Sequence, residues 1–338
     1  MKRVLLITLV LLVFQLSAFE LSEAGPAGED PFLGCWRSLK DPNVVLKTTD
    51  NFLILSFSPE TYQLRTMPIK RTSSGFRLGG YIPPEDVGIS IREDSLTIDW
   101  QLPAKRFIRV SDEYREMDID PFTYVEKEAI SEEAREEIKT ELNSRLEQEQ
   151  QIRQELMLEA GGEMTSEALN SPELAEIRNR MVRTDSANHS YLVEQVKKYG
   201  WIDPEGFGLN ASTAAYMIAL HSGDLRLMRT ATSSLEKYRG TGGPNENMYG
   251  TMADRVALNM QMPMSYCLQE YIPRQGRMII PVINDREELN ANRERLGLPK
   301  FEDYVQMKKD EGFEIRIFEM DKRGFHSPDT NGIADSRK

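Results

Sequence analysis

Histidine and cysteine are scarce in this chain of 338 residues, which contains three of the former and two of the latter. A histidine-rich metal site is therefore not expected, and two cysteines are too few for a disulfide-rich scaffold. The sequence also lacks a Gly-rich phosphate loop, a Gly-x-Ser-x-Gly elbow and a His-Glu-x-x-His helix, which are familiar signatures of enzyme families. Neither a metal site nor a cofactor is predicted.

Basic residues are outnumbered by acidic ones, 42 to 54, so the formal net charge is −12. Binding to nucleic acid requires a basic surface that displaces counterions from phosphates. Nucleic acids and anionic membranes are therefore not expected partners. The apolar fraction of 40% is ordinary for a globular protein and argues against a chain that is disordered throughout.

The one long apolar run is at the N-terminus, in "MKRVLLITLVLLVFQLSAFE". Two basic residues, an apolar run from Val4 and a small-residue site predict a signal peptide over residues 1–18, cleaved after Ala18. A transmembrane anchor is the alternative, but the run is shorter than the ~20 residues that span a bilayer. The expected location is secreted or periplasmic, with no membrane span after cleavage.

Residues 31–110 contain short runs rich in β-branched and aromatic residues, separated by turn sequences such as "PPED" and "EDS". This pattern predicts a small antiparallel β-barrel or sandwich. Its opening, "FLGCWRS", resembles the Gly-x-Trp entry of lipocalin-like barrels, which would place Trp36 as the plug of one barrel end. A generic β domain is the alternative. Cys35 and Cys267 either form a disulfide between domains or are buried separately as small apolar residues.

Residues 111–130 are acidic and irregular, and we interpret them as a linker. Helical periodicity then predicts a mainly α-helical domain over residues 131–320 with a short β hairpin, followed by a disordered tail at 321–338. Within it, "KKYGWIDPEGFG" is predicted to end one helix at Gly200 and to lead into the next through a turn that contains Trp201. The fold class expected for the whole chain is α+β.

Several polar residues lie on helix faces that also carry apolar residues. His221 ends the apolar helix "AAYMIALH", and Asp254 with Arg255 interrupts "YGTMADRVAL". Two further pairs are spaced by about one helical turn: Asp185 with Asn188, and Gln150 with Arg153. Each of these residues alone is more typical of a structural role than of catalysis. Because unpaired buried charges are costly, we predict that they share one network.

The motifs "EQQIR", "DSANHSYL", "YGWIDPEGFG", "ALH", "ADRV", "YCLQ" and "NRERLGLPKFEDY" occur in this order over about residues 142–304. Together they resemble an uncharacterised, mainly bacterial helical family, a domain of unknown function. The resemblance implies one polar cluster, with the turn at Trp201 leading the His221 helix into it: Glu149, Gln150, Arg153, Asp185, Asn188, His221, Asp254, Arg255, Tyr266 and Gln269. Where the family pattern has Gly-Thr between Tyr and Gln, this chain has Cys267-Leu268.

Three functions are compatible with these features. The favoured hypothesis is an exported, non-catalytic binding protein of the cell envelope, in which Gln150, Arg153, Asp185, Asn188, Trp201, Tyr266 and Gln269 contact a small anionic or peptide-like ligand, or a partner protein. The alternative is an envelope hydrolase or transferase. In it, His221 is the general acid or base, Asp254 or Asp185 orients it, and Arg255 or Arg153 holds an anionic substrate group. In the third hypothesis, the polar network only fixes helix packing.

Overall fold

The computed structural model describes residues 32–41, 43–56, 64–72, 75–80, 86–92, 95–99, 106–110, 119–122, 130–160, 172–274 and 276–325. The predicted signal peptide lies outside these residues, as do most of the predicted linker and the third histidine, His326.

The N-terminal part of the chain is a closed barrel of eight strands in sequence order. Each strand pairs with the next in antiparallel fashion, and the first pairs with the last, so that Trp36 lies opposite Arg109. The strands are β1 (Gly34–Ser38), β2 (Val45–Thr48), β3 (Phe52–Ser56), β4 (Leu64–Thr72), β5 (Gly75–Leu78), β6 (Asp86–Arg92), β7 (Ser95–Asp99) and β8 (Arg106–Val110). Of the two β architectures that the sequence allowed, the barrel is the one formed.

Trp36 is fully buried in the barrel core, where its indole N–H donates to the Phe32 carbonyl and the Thr48 hydroxyl at 3.3 Å each. The Arg109 guanidinium lies 4.4 Å from the centre of the indole ring. A Cβ at Gly34, whose φ is 135°, would lie 2.8 Å from Nη1 of Arg109. The Gly-x-Trp pair is thus explained by packing, while the likeness to lipocalins stays a prediction.

Alternating residues of the barrel wall join two different cores. Leu53 and Leu55 on β3 belong to the barrel interior, whereas Ile54 and its neighbour Val45 on β2 are buried together with residues of the helices. This follows from the two-residue period of a strand, which sends successive side chains to opposite faces of the sheet. One side of the barrel therefore packs on the helical part.

The helical part contains α1 (Glu132–Glu159), α2 (Ala175–Tyr199), α3 (Pro204–Ser222), α4 (Leu225–Leu235), α5 (Gly243–Asn259), α6 (Arg286–Arg295) and α7 (Phe301–Asp310). Small residues of α3 are buried on several sides, which lets α1, α2 and α5 approach it. The helix α1 begins at the Ser131 cap, whose hydroxyl accepts from the Ala134 N–H at 3.2 Å. Helices follow the barrel as predicted, which confirms the α+β class.

The turn between α2 and α3 follows the local sequence. Helix α2 ends at Gly200, whose φ is 86°, and Trp201 is buried in the helical core. Asp203 then caps α3 through a 2.8 Å bond from the Gly206 N–H. The backbone leaves helical geometry once more at Gly208, with φ of 77° and ψ of 163°, so the long regular segment that ends at His221 begins after that residue.

The C-terminal sheet has three strands in the order β11–β10–β9, one more than the predicted hairpin. β9 (Tyr271–Arg274) is antiparallel to β10 (Arg277–Ile283), and β11 (Glu314–Met320) returns parallel to β10 after α6 and α7. The following residues 321–325, which the sequence assigned to a disordered tail, form a turn. The Gly324 carbonyl in it accepts from the Gly80 N–H of the barrel at 2.8 Å.

Both cysteines, Cys35 and Cys267, are buried and free, so the two parts of the chain are not joined by a disulfide. Within the described ranges, no helix combines the length and apolarity needed to cross a bilayer. Over the same ranges, no group of three or more His, Cys, Asp or Glu side chains is placed to hold a metal ion.

Candidate functional site

Three helices bring the first group of predicted polar residues together. Arg135 near the start of α1 contacts Phe207 near the start of α3, and Glu149 further along α1 contacts His221 at the end of α3. The two helices therefore run parallel. Helix α2 runs antiparallel to α1, because Asp185 meets Arg153 whereas the later residue Asn188 meets the earlier Glu149. The carboxyl-terminal halves of α1 and α3 therefore enclose a polar site beside the middle of α2.

Glu149 is at the centre of this site, with a side chain that is only 1% exposed. Its Oε1 contacts Nδ1 of His221 and accepts from Nε of Arg153 at 3.1 Å, and its Oε2 accepts from Nδ2 of Asn188 at 3.3 Å. Burial raises the pKa of Glu149, but hydrogen bonding and charge from His221 and Arg153 outweigh it and leave the pKa below its ordinary value. The carboxylate is therefore held in its charged form.

Arg153 is fully engaged by two carboxylates. Its Nη2 donates to both oxygens of Asp185 at 2.9 Å, in addition to the bond from Nε to Glu149. Burial raises the pKa of Asp185 above its ordinary value in spite of the opposing charge of Arg153. Two carboxylates thus face one guanidinium, and a positive charge on His221 would balance the group.

His221 is the member of this site that remains partly open to solvent, with 24% of its side chain exposed. Because the charged Glu149 can only accept a hydrogen bond, the neutral imidazole carries its proton on Nδ1. Its Nε2 then presents a lone pair, and no described residue hydrogen-bonds to it. An imidazole oriented through one nitrogen and available at the other is the arrangement of a general base. We refer to Glu149, Arg153, Asp185, Asn188 and His221 as the His221 site.

Asp254 and Tyr266 lie in a second group, separate in its contacts from the His221 site. The carboxylate of Asp254 accepts from the backbone N–H of Ser265, Tyr266 and Leu268 at 2.9, 3.2 and 2.7 Å. The prediction that Asp254 orients His221 is therefore wrong, since its oxygens serve the loop after α5. Asp185 is not the direct partner of the imidazole either, because Glu149 occupies that position.

The same loop is fixed from its other side by α6. Nη1 of Arg293 donates to the carbonyls of Tyr266 and Cys267 at 2.9 and 3.0 Å, and Nδ2 of Asn292 donates to that of Ser265 at 2.9 Å. Cys267 has a φ of 55°, in the left-handed region that favours glycine. A glycine is therefore favoured at this position of the family pattern because of the backbone conformation alone. The replacement of that glycine by Cys267 in this chain does not imply the loss of a contact to a ligand.

Arg255 differs from the prediction that its charge pairs in the interior. It is partly buried, and burial holds the pKa of its guanidinium below the ordinary value. Its Nε has no hydrogen-bond partner, and none of the ion pairs among the described residues includes it. Arg255 lies near Tyr216, whose electrostatic interaction opposes the effect of burial on the Arg255 pKa. The structure gives it no contact with the His221 site.

The remaining predicted residues are placed individually. Gln150 is exposed on α1 and has no hydrogen bond to a described residue, in contrast to its neighbour Glu149. Trp201 is buried in the helical core and Gln269 is buried after the loop, so neither is presented to solvent as a ligand contact.

Sequence reasoning missed two groups that support these sites. Arg145 donates to Oδ1 of Asn188 at 3.3 Å, and the fully buried Glu246 accepts from the Tyr266 hydroxyl at 3.0 Å and from Nε of Arg295 at 3.1 Å. Arg293 and Arg295, which hold the Asp254 loop and Glu246, lie within the motif "NRERLGLPKFEDY". Two arginines among the three residues after Asn292 were the sequence feature that could have indicated them. Glu246 had no local signal, because its partners are distant in the sequence.

Comparison with family models gives one match, to a family of unknown function, DUF6624, over residues 136–316. This range is just over half of the chain. The protein belongs to the DUF6624 family. The DUF6624 range includes every residue of the His221 site and of the Asp254 loop, and it excludes the barrel. Comparisons with curated proteins and with solved structures give no match.

Proposed function

We propose that this protein is exported and that its DUF6624 domain is a hydrolase or group-transfer domain in which His221 is the general base. The observation that carries the proposal is the contact of His221 Nδ1 with the buried, charged Glu149, which leaves Nε2 without a partner among the described residues. This geometry favours the catalytic alternative over the non-catalytic binding protein that the sequence alone favoured.

The proposed step is activation of a water or hydroxyl nucleophile. Nε2 of His221 takes the proton of the attacking O–H as its oxygen bonds to the electrophilic carbon, and the imidazolium then returns that proton to the leaving group. Glu149 stabilises the imidazolium without taking its proton, since Oε1 also accepts from Arg153. No hydroxyl or thiol of a described residue is hydrogen-bonded to His221, which favours water or a substrate hydroxyl as the nucleophile.

The charges of the site favour a neutral or cationic substrate over the anionic ligand that the sequence suggested. Arg153 is occupied by Asp185 and Glu149, and Arg145 is paired with Glu141 at 2.7 Å. Neither guanidinium is free for a substrate anion, and two carboxylates lie within the site itself. An anion approaching His221 would therefore meet net repulsion until the imidazole is protonated.

A pH–rate profile of the whole chain tests this function. The substrates are a panel of neutral esters, amides and glycosides, and the readout is kcat/KM. We expect kcat/KM to rise with pH and then to level off, because a general base acts only in its unprotonated form. A profile that is flat over the whole pH range in which the chain stays folded would rule out an ionising base in this site.

A further inference from the structure

A cavity of about 170 Å³ lies away from the His221 site, between α5, the Asp254 loop, the end of β10 and the residues after β11. Its apolar wall comprises Ala253, Pro263 and Ile283, together with the rings of Tyr249 and Tyr266. An engineered apolar cavity of about 150 Å³ is large enough to hold benzene. This space therefore fits a single ring or a branched aliphatic group, and ligand pockets combine such a wall with a few polar groups.

One polar group in the wall of this cavity makes no hydrogen bond to a described residue. Tyr249 is only 8% exposed, and its hydroxyl has no hydrogen bond to any described residue. The neighbouring Tyr266, in contrast, donates its hydroxyl to Glu246 at 3.0 Å. The Ser265 hydroxyl is also without a protein partner, although the backbone of this residue is bonded to Asp254 and Asn292. The Tyr249 hydroxyl is therefore available to donate to a polar ligand atom in the cavity.

The rim of the cavity carries an excess of positive charge. Arg239 and Lys322 both pair with the carboxylate of Glu288, at 3.0 and 2.6 Å. Of the three carboxylates that act on Tyr249, Asp254 and Glu246 are satisfied by backbone N–H groups and by Arg295 with Tyr266, and Glu236 is exposed to solvent. Among the residues that line the cavity, two cations share one carboxylate, which leaves a net charge of about +1 there and attracts a monoanion.

We propose that this cavity is a binding site for a small monocarboxylate with an aromatic or branched apolar body. The carboxylate lies between Arg239 and Lys322 and accepts from the Tyr249 hydroxyl, while the body packs on Ala253 and Ile283. The site goes beyond the proposed hydrolase function and does not depend on it, because its residues make no contact with His221 or Glu149.

Benzoate is the probe, titrated calorimetrically against the whole chain with benzyl alcohol as the uncharged analogue. We expect a dissociation constant of about 0.1–10 mM for benzoate, as ligand efficiency suggests for nine heavy atoms, and binding of benzyl alcohol that is weaker by about tenfold or more. Absence of saturable benzoate binding at about 50 mM, well above that range, would overturn the proposal. Equal affinity for the two compounds would overturn the role of the charged rim.

Four variants, each checked for an unchanged melting temperature, assign binding to the cavity. We expect Arg239→Gln to weaken benzoate about tenfold, since it removes a positive charge, and Tyr249→Phe about fivefold, since it removes the hydroxyl donor. Ala253→Leu fills the space and should abolish binding. Arg277→Gln is the matched control, because Arg277 also pairs with a glutamate, Glu314, but lies on the sheet away from the cavity. Benzoate affinity that survives Ala253→Leu would place the ligand elsewhere and refute the site.

Discussion

Replacement of His221 by glutamine is expected to lower kcat/KM by about 10²–10⁴-fold on any substrate that the whole chain turns over, because glutamine cannot accept and return a proton at the position of Nε2. The glutamine amide can still donate to Glu149, so the change should leave the melting temperature within a few degrees. Steady-state kinetics together with thermal melting separates the loss of chemistry from the loss of structure.

His189→Gln is the matched control for this variant. His189 also contacts a carboxylate, that of Asp224 at 2.7 Å, and its side chain is similarly sheltered, at 14% exposed. Asp224 caps α4 by accepting from two backbone N–H groups, which gives that pair a structural explanation. We expect His189→Gln to retain kcat/KM within about twofold. Equal losses in the two variants would mean that His221 acts only through the fold.

Asp254→Ala is expected to destabilise the helical domain by about 3–5 kcal/mol, since three backbone N–H groups lose their acceptor and each unsatisfied buried donor costs about 1–3 kcal/mol. Asp254 is fully enclosed between α5 and the loop that it holds. Urea denaturation monitored by circular dichroism measures the change. The control is Asp310→Ala at the exposed end of α7, where the carboxylate accepts from the Gln306 side chain, and there we expect about 0.5 kcal/mol or less.

The contribution of Asp254 to the free energy of unfolding should decrease as the pH rises. Burial raises the pKa of Asp254 from 3.8 to about 6, although the hydrogen bonds from the Leu268, Tyr266 and Ser265 N–H groups oppose it. The folded state therefore binds the proton more tightly than the unfolded state. The stability of the wild type relative to Asp254→Asn is largest below about pH 4, falls as the pH rises to about 6, and is constant above that. A relative stability that rises over this interval would contradict the assignment.

The parts of the fold that follow from local patterns were predictable. Short runs rich in β-branched and aromatic residues, with turn sequences between them, indicated a barrel or sandwich, and the apolar period of α2 with Gly200 at its end indicated a helix and its boundary. The third strand of the C-terminal sheet was harder to place. Its partner β10 is reached only after two helices, and a parallel pairing over that distance has no local signature.

The five residues of the His221 site were all among the ten predicted, but the other five lie elsewhere, and the pairing within the site was not predictable. Glu149 and Arg153 are four residues apart on one helix, so their contact follows from helical geometry. Which carboxylate reaches His221 depends on the packing of α1 against α3, and the sequence offered Asp254 and Asp185 instead. Successive residues of a helix point about 100° apart, so Asp254 faces its loop while Arg255 faces elsewhere, near Tyr216.

The charges at the His221 site argue against the anionic ligand that the sequence suggested. Arg153 was a candidate for holding a substrate anion, but the bidentate contact with Asp185 and the bond to Glu149 use the donors that an anion would need. Composition alone cannot reveal this, because an arginine that is satisfied by carboxylates and one that is available to a ligand look alike in sequence. Arg239 and Lys322, which share the single carboxylate of Glu288, lie instead at the rim of the second cavity.

The contact of Glu149 with Nδ1 of His221 is the central claim, and ¹⁵N NMR of the histidine rings in the whole chain tests it most directly. We expect the neutral imidazole of His221 to carry its proton on Nδ1 and to show Nε2 as an unprotonated nitrogen, because the charged Glu149 beside Nδ1 can only accept a hydrogen bond. Glu149→Gln should remove this preference for Nδ1–H, because an amide side chain can donate a hydrogen bond as well as accept one. A neutral ring protonated on Nε2 in the wild type would contradict the account.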